Sequence, residues 1–98
     1  MEIVKTQNGT ELTVAVSGNL DTQTAPDLQA ELKGSLDGVT SLILDFSNLD
    51  YISSAGLRTV RGASKTMKKQ GDMVVRGCND EVKEVFEITG FADVINIE

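Results

Sequence analysis

Ser53 and Ser54 stand side by side where one hydrophobic pattern ends and another begins. Ahead of them Leu42, Ile43, Leu44 and Phe46 form an almost unbroken apolar run, the mark of a strand buried on both faces. Turn formers Ser47 and Asn48 follow, then a short patch of Leu49, Tyr51 and Ile52. After the serines, Ala55, Gly56 and Leu57 open a helical pattern. The two hydroxyls are therefore expected at a helix N-terminus, just past the carboxyl end of a central strand. Unpaired amides and the helix dipole favour an anion there, and a phosphate carried on a serine oxygen suits the place. Gly56, which costs about 1 kcal/mol relative to alanine inside a helix, hints that another backbone or a ligand comes close. The plainer reading makes Ser53 an N-cap and Gly56 a packing residue.

Other residues offer less chemistry. Histidine is absent from the 98 residues, so Ser53, Ser54 or Cys78 lacks an ordinary general base, and neither a Walker loop nor a GxGxxG follows a strand. Catalysis is not expected. Asp21, Asp45 and Asp50 would have to converge to hold a metal, and scattered aspartates of this kind usually serve turns and caps, so neither metal nor cofactor is expected. Cys78, between Gly77 and Asn79, could be a thiolate at a helix start, but reads better as a half-buried inert cysteine.

The net charge is −6, from 15 acids and 9 bases. Five of those bases, Arg58, Arg61, Lys65, Lys68 and Lys69, fall between Asp50 and Asp72 with no acid among them. An acidic surface repels nucleic acid and anionic membrane, so this stripe is expected to be solvated or to meet an acidic protein face. With one cysteine no internal disulfide forms. No apolar run approaches the roughly 18 residues of a membrane span, and MEIVKTQNG has neither a basic nor an apolar leader region. A single cytoplasmic domain over residues 1–98 is the expectation.

The elements that must position the serines can be read in order. Glu2–Thr6 and Glu11–Ser17 alternate as strands, with Leu12, Val14 and Val16 on one face. Asn8-Gly9 between them predicts a type I′ hairpin. Thr24 with Asp27 predicts a capping pair for a helix carrying Ala25, Leu28, Leu32 and Leu36, ended by Gly38. The central strand spans about Ser41 to Phe46. The next helix buries Leu57, Val60, Ala63 and Met67 and ends by Gly71. A strand at Met73–Arg76, a helix capped by Asn79 or Asp80 and ended by Gly90, and a last strand at Val94–Ile97 complete the order ββαβαβαβ. This predicts an α/β fold: a mixed sheet, antiparallel in its opening hairpin and parallel elsewhere, flanked by helices. The serine loop then lies at the sheet's carboxyl edge, where open α/β sheets place their sites.

The string LDFSNLDYISSAGLRTV resembles the signature of the STAS domain, in the branch of bacterial anti-sigma-factor antagonists. VSGNLDTQTAPDLQAEL is similar to that family's second strand, loop and first helix, and NDEVKEVFEITGFADVINI to its last helix and strand. The resemblance covers nearly the whole chain and implies a partner-switching protein. The serine directly before the motif's small residue and glycine, here Ser54, would be phosphorylated by an anti-sigma factor that is itself a serine kinase. A PP2C-type phosphatase would reverse it. Unphosphorylated protein would bind the kinase and free the sigma factor. Ser53 stands where many members have aspartate and is a second candidate acceptor. Asp21 and Thr22 match the family's segment beside the phosphosite. With Asp50, Ser53, Ala55, Gly56, Leu57 and Arg58 they are the expected partner contacts. The competing expectation is a STAS-like module that is never phosphorylated and binds a nucleotide or anion at the same helix N-terminus.

Overall fold

Leu12, Val14 and Val16 alternate with Thr13, Ala15 and Ser17, and the first three are at most 2 % exposed. The computed structural model describes residues 1–98. Its elements are β1 (Glu2–Asn8), β2 (Glu11–Leu20), α1 (Ala25–Ser35), β3 (Ser41–Ile52), α2 (Ser54–Met67), β4 (Asp72–Arg76), α3 (Asp80–Ile88) and β5 (Asn96–Ile97), with a 3₁₀ turn at Phe91–Asp93. They follow the expected order. The five strands lie in chain order, β1 antiparallel to β2 and all later neighbours parallel.

Chain order in the sheet has a steric consequence. Right-handed crossovers between successive parallel neighbours put every helix on the same side. One core results, in which Leu12, Val14, Leu42, Leu44, Phe46 and Val75 from the sheet meet Leu28 of α1, Val60 of α2 and Phe86 of α3. The other face, carrying Val4, Ala15, Ile43 and Val74 by register, has no helix over it. The unbroken apolar run of β3 is thus not covered by helices on both faces. Ile43 falls to 8 % exposure through its neighbours Thr13 and Val74 on the flanking strands, and Asp45 sits on the same open face.

Several local expectations shift. The hairpin pairs Asn8 with Glu11, so Gly9 and Thr10 are its central residues. Only Gly9 has positive φ, at 63°, which rules out a type I′ turn with Asn-Gly at its centre. Thr24 makes no side-chain cap to α1. Asp21 organises that start instead, its carboxylate accepting from the Gln23 and Thr24 amides. β3 does not stop at Phe46 but runs to Ile52, because β2 runs alongside it to Leu20 and supplies backbone partners. Phe46, Leu49 and Ile52 are all buried, a spacing of three that no regular strand allows. Register shifts opposite Ala15/Ser17 and Gly18/Asn19 insert the extra residues into β3. At the C-terminal end the 3₁₀ turn leaves only Asn96 and Ile97 as strand, and Val94 is exposed.

Candidate functional site

Past the double bulge β2 and β3 run on as a pair beyond the reach of β1 and β4, and their ends stay joined: the Ser53 amide donates to the Leu20 carbonyl at 2.8 Å. α1 and α2 therefore begin side by side at the carboxyl edge. Gly56 makes this approach possible. A Cβ on it would lie 2.9 Å from the Leu20 carbonyl oxygen and 2.8 Å from Leu20 Cγ. The close neighbour foreseen for this glycine is the chain's own β2.

Ser53 is extended (φ −97°, ψ 175°) and caps α2, its Oγ accepting from the Gly56 amide at 3.3 Å. Ser54 is the first helical residue and is exposed. Its hydroxyl takes no part in the hydrogen bonds that hold this region, which run through Ser53, Thr24, Asp21 and Thr59. The Leu57 amide reaches back to the Ser53 carbonyl. The amides of Ser54 and Ala55, at the first two helical positions, have no carbonyl a turn earlier to bond within the helix. One serine is thus committed to structure while its neighbour offers a free hydroxyl beside free donors.

Asp21 shapes the facing loop. Its Oδ1 accepts from the amides of Gln23 (3.0 Å) and Thr24 (3.1 Å), and its carbonyl accepts from the Ala25 amide at 2.8 Å. The Thr24 hydroxyl accepts from the Asp21 amide and shares its proton between the Asn19 carbonyl and Asp21 Oδ1. The Thr24 oxygen faces backward, which is why it does not cap α1 with Asp27. The Thr24 amide above all, then the Thr24 hydroxyl, the Gln23 amide and the N-terminal ammonium, hold the Asp21 carboxyl below its ordinary range, with desolvation opposing.

Thr22, Asp50 and Arg58 are exposed here, and Ala55 is half-buried. Leu57, expected as a contact, is 5 % exposed and belongs to the core, so its side chain anchors the helix instead. Asn79 caps the third helix as expected, but its second role and the exposure of Tyr51 escaped the sequence reading. Tyr51, placed there in an apolar patch, is 52 % exposed and pairs in register with Asn19. The spacing of three from Phe46 through Leu49 to Ile52, which leaves Tyr51 out of step, was the signal for it. Asn79 caps α3 through Oδ1 on the Val82 amide, while its Nδ2 donates to the Leu49 carbonyl at 3.1 Å and to that of Asp50 at 3.4 Å. It braces the last stretch of β3, ahead of Ser53, from the third helix.

The three aspartates do not converge. Asp45 bonds the Ser47 hydroxyl and amide on the open sheet face, which hold its carboxyl below the usual range. No group of three or more histidine, cysteine or acidic residues is arranged to hold a metal ion. Cys78 is half-buried against the core, and desolvation pushes its thiol pKa up, the reverse of what a thiolate needs. The basic stripe is exposed throughout, and the chain's one salt bridge, Lys5 to Glu31, lies elsewhere. No helix is long and apolar enough to cross a membrane.

A family model for the STAS domain matches residues 2–98. This chain belongs to the STAS domain family. BtrV of Bordetella bronchiseptica, assigned as an anti-sigma factor antagonist, is 39 % identical over 88 residues, 88 % of this chain and 76 % of that protein. The anti-sigma-B factor antagonist of Listeria monocytogenes is 31 % identical over 98 residues, 97 % of this chain and 85 % of its own. Among solved structures, the Bacillus cell fate determinant SpoIIAA in its phosphorylated form superposes with a TM-score of 0.78 at 17 % identity, covering 99 % of this STAS domain and 91 % of SpoIIAA. That likeness is one of fold, and it extends to the five-stranded mixed sheet with its three helices.

Proposed function

We propose that this STAS domain is an anti-sigma-factor antagonist whose hold on its partner is set by the phosphorylation state of Ser54. The partner is an anti-sigma factor that is also a serine kinase. It transfers the γ-phosphoryl of ATP to the Ser54 oxygen, the hydroxyl proton leaving and ADP departing, and a PP2C-type phosphatase restores the serine by hydrolysis. The Ser54 hydroxyl carries this reading, being exposed, unbonded and first in its helix while that of Ser53 is spent on the cap. The names of the two curated relatives support the same class.

The energetics favour a switch of binding and not of fold. In the free protein a phosphate at the start of α2 gains roughly 0.3 to 1 kcal/mol from dipole and amides, too little to remodel a core. Enclosed against a partner without a matching cation, the dianion loses hydration at a cost of several kcal/mol. Even ~3 kcal/mol weakens binding more than a hundredfold.

Intact mass after incubation with ATP and the purified kinase, followed by capture, tests this. The wild type should take up one phosphate and lose the kinase with its circular dichroism unchanged. Ser54→Ala should bind and resist release by ATP. Ser53→Asp keeps a good cap but offers no hydroxyl, and should still be phosphorylated. Uptake that vanishes in Ser53→Asp and persists in Ser54→Ala would show the acceptor to be the wrong serine.

A further inference from the structure

α1 and α2 start together but do not close against each other. Between them runs a groove of about 800 Å³, from Thr22 and Ala55 at the helix starts to Leu36 and Thr66 at their ends. Along α2 its wall is Ala55, Thr59, Gly62, Ala63 and Thr66, with Arg58 the one long side chain, at the end near the helix starts. The five small residues recur at helical spacing, and beyond Arg58 no long side chain of α2 lines the groove. The stripe spans about 16 Å, some three helical turns at 1.5 Å per residue.

Gly62 is the informative member. It sits exposed in the middle of α2, where glycine is disfavoured against alanine, yet a Cβ on it would meet nothing within 4 Å. Nothing inside this chain requires a glycine there, in contrast to Gly56. The groove also has a sign. Its only charged lining residues are Lys33 and Arg58, both exposed and outside any salt bridge, and Arg61 and Lys65 continue that charge along α2. No acid lines it, although acids outnumber bases 15 to 9 in the chain.

We propose that the groove receives an acidic amphipathic helix of the partner, its small-residue face against Gly62 and Ala63 and its carboxylates on Lys33 and Arg58. This rests on the functional reading above and names a second contact, continuous with the Ser54 surface through Ala55 and Arg58. Small residues let a third helix approach to the 8–10 Å interaxial distance of packed helices, and unpaired cations on a net-acidic protein select acidic over basic segments.

The test is the affinity of unphosphorylated protein for the purified anti-sigma serine kinase, measured calorimetrically with three variants. Gly62→Phe fills the groove and should weaken binding by at least about tenfold. Lys33→Glu should weaken it about threefold or more, with a smaller salt dependence than the wild type. Gly62→Ala, which meets open space, should raise the melting temperature, and Gly62→Phe should melt no lower than the wild type, which separates its lost affinity from misfolding. Kinase binding that depends on Ser54 but is unchanged by Gly62→Phe and Lys33→Glu overturns the groove contact and leaves the functional reading standing. Absence of any Ser54-dependent binding overturns that reading and this contact with it. Amide shifts along α1 and α2 produced by ATP or GTP alone, or sedimentation showing a dimer that Gly62→Phe dissolves, would assign the groove to a nucleotide or a second copy and overturn the proposal.

Discussion

Replacing Gly56 by alanine tests how the site is held together. The added Cβ would stand 2.8 Å from Leu20 Cγ, 2.9 Å from Ile52 Cγ1 and 2.9 Å from the Leu20 carbonyl oxygen. Carbon atoms settle at roughly 3.5–4.0 Å, so these neighbours must yield by about 0.6 Å or more. The carbonyl cannot move freely, since it accepts the Ser53 amide at 2.8 Å. Overpacking of this kind costs about 1–3 kcal/mol, against which alanine returns about 1 kcal/mol of helix propensity. Gly62→Ala supplies the same propensity gain in the same helix with no clash. The gap between the two variants therefore isolates the steric part, about 2 kcal/mol. For a domain of this size that separates their melting temperatures by roughly 8–16 °C, Gly62→Ala above the wild type and Gly56→Ala at or below it. Thermal circular dichroism at matched concentration reads this directly. If Gly56→Ala melts as high as Gly62→Ala, the approach of β2 to α2 is not what demands glycine, and the account of how the two loops are joined fails.

Acid should destabilise the fold through the depressed carboxyls of Asp21 and Asp45. Each has a folded value below 3.8, so in that range the unfolded chain binds more protons and the contribution, complete above 3.8, is lost as pH falls through the folded values. Melting temperatures should drop from about pH 5 to about pH 3, and less steeply in Asp45→Asn. Asp21→Ala should speed hydrogen exchange of the Gln23 and Thr24 amides by about tenfold or more, while Asp21→Asn, which keeps an acceptor oxygen, should change it less; equal rates in both would remove Asp21 from the loop's support. Cys78 should react with iodoacetamide near pH 8 much more slowly in the folded protein than in denaturant, and equal rates would contradict its raised pKa.

Much of this was legible because burial leaves a periodic trace. Leu12, Val14 and Val16 advertise a half-buried strand, and Leu57, Val60, Ala63 and Met67 the inner stripe of α2. What was not legible depends on pairing at a distance. Ser47 and Asn48 look like turn formers in isolation, and only β2 running beside them to Leu20 keeps them in the sheet. Thr24 and Asp27 have the spacing of a cap, but Asp21 takes the Thr24 amide that Asp27 would have reached, and the Asp27 amide bonds the Thr24 carbonyl. Leu57 was read both as part of the inner stripe, from its period, and as a partner contact, from the resemblance, and its burial agrees with the period. The adjacent serines could not be told apart by type, and it took the backbone angles of Ser53 to commit one of them to the cap.

Strand order that follows chain order also bears on how the molecule is made. Everything that builds the site, from β2 through α2, is one continuous stretch, complete in sequence before β4 leaves the ribosome. At the usual 5–20 residues per second, a few seconds pass before β4, α3 and β5 follow. During that interval β3 has a bare edge and its last stretch, ahead of Ser53, lacks the brace from Asn79. The late segments thus finish a surface they do not compose, and Asn79 is one link through which their arrival is felt there.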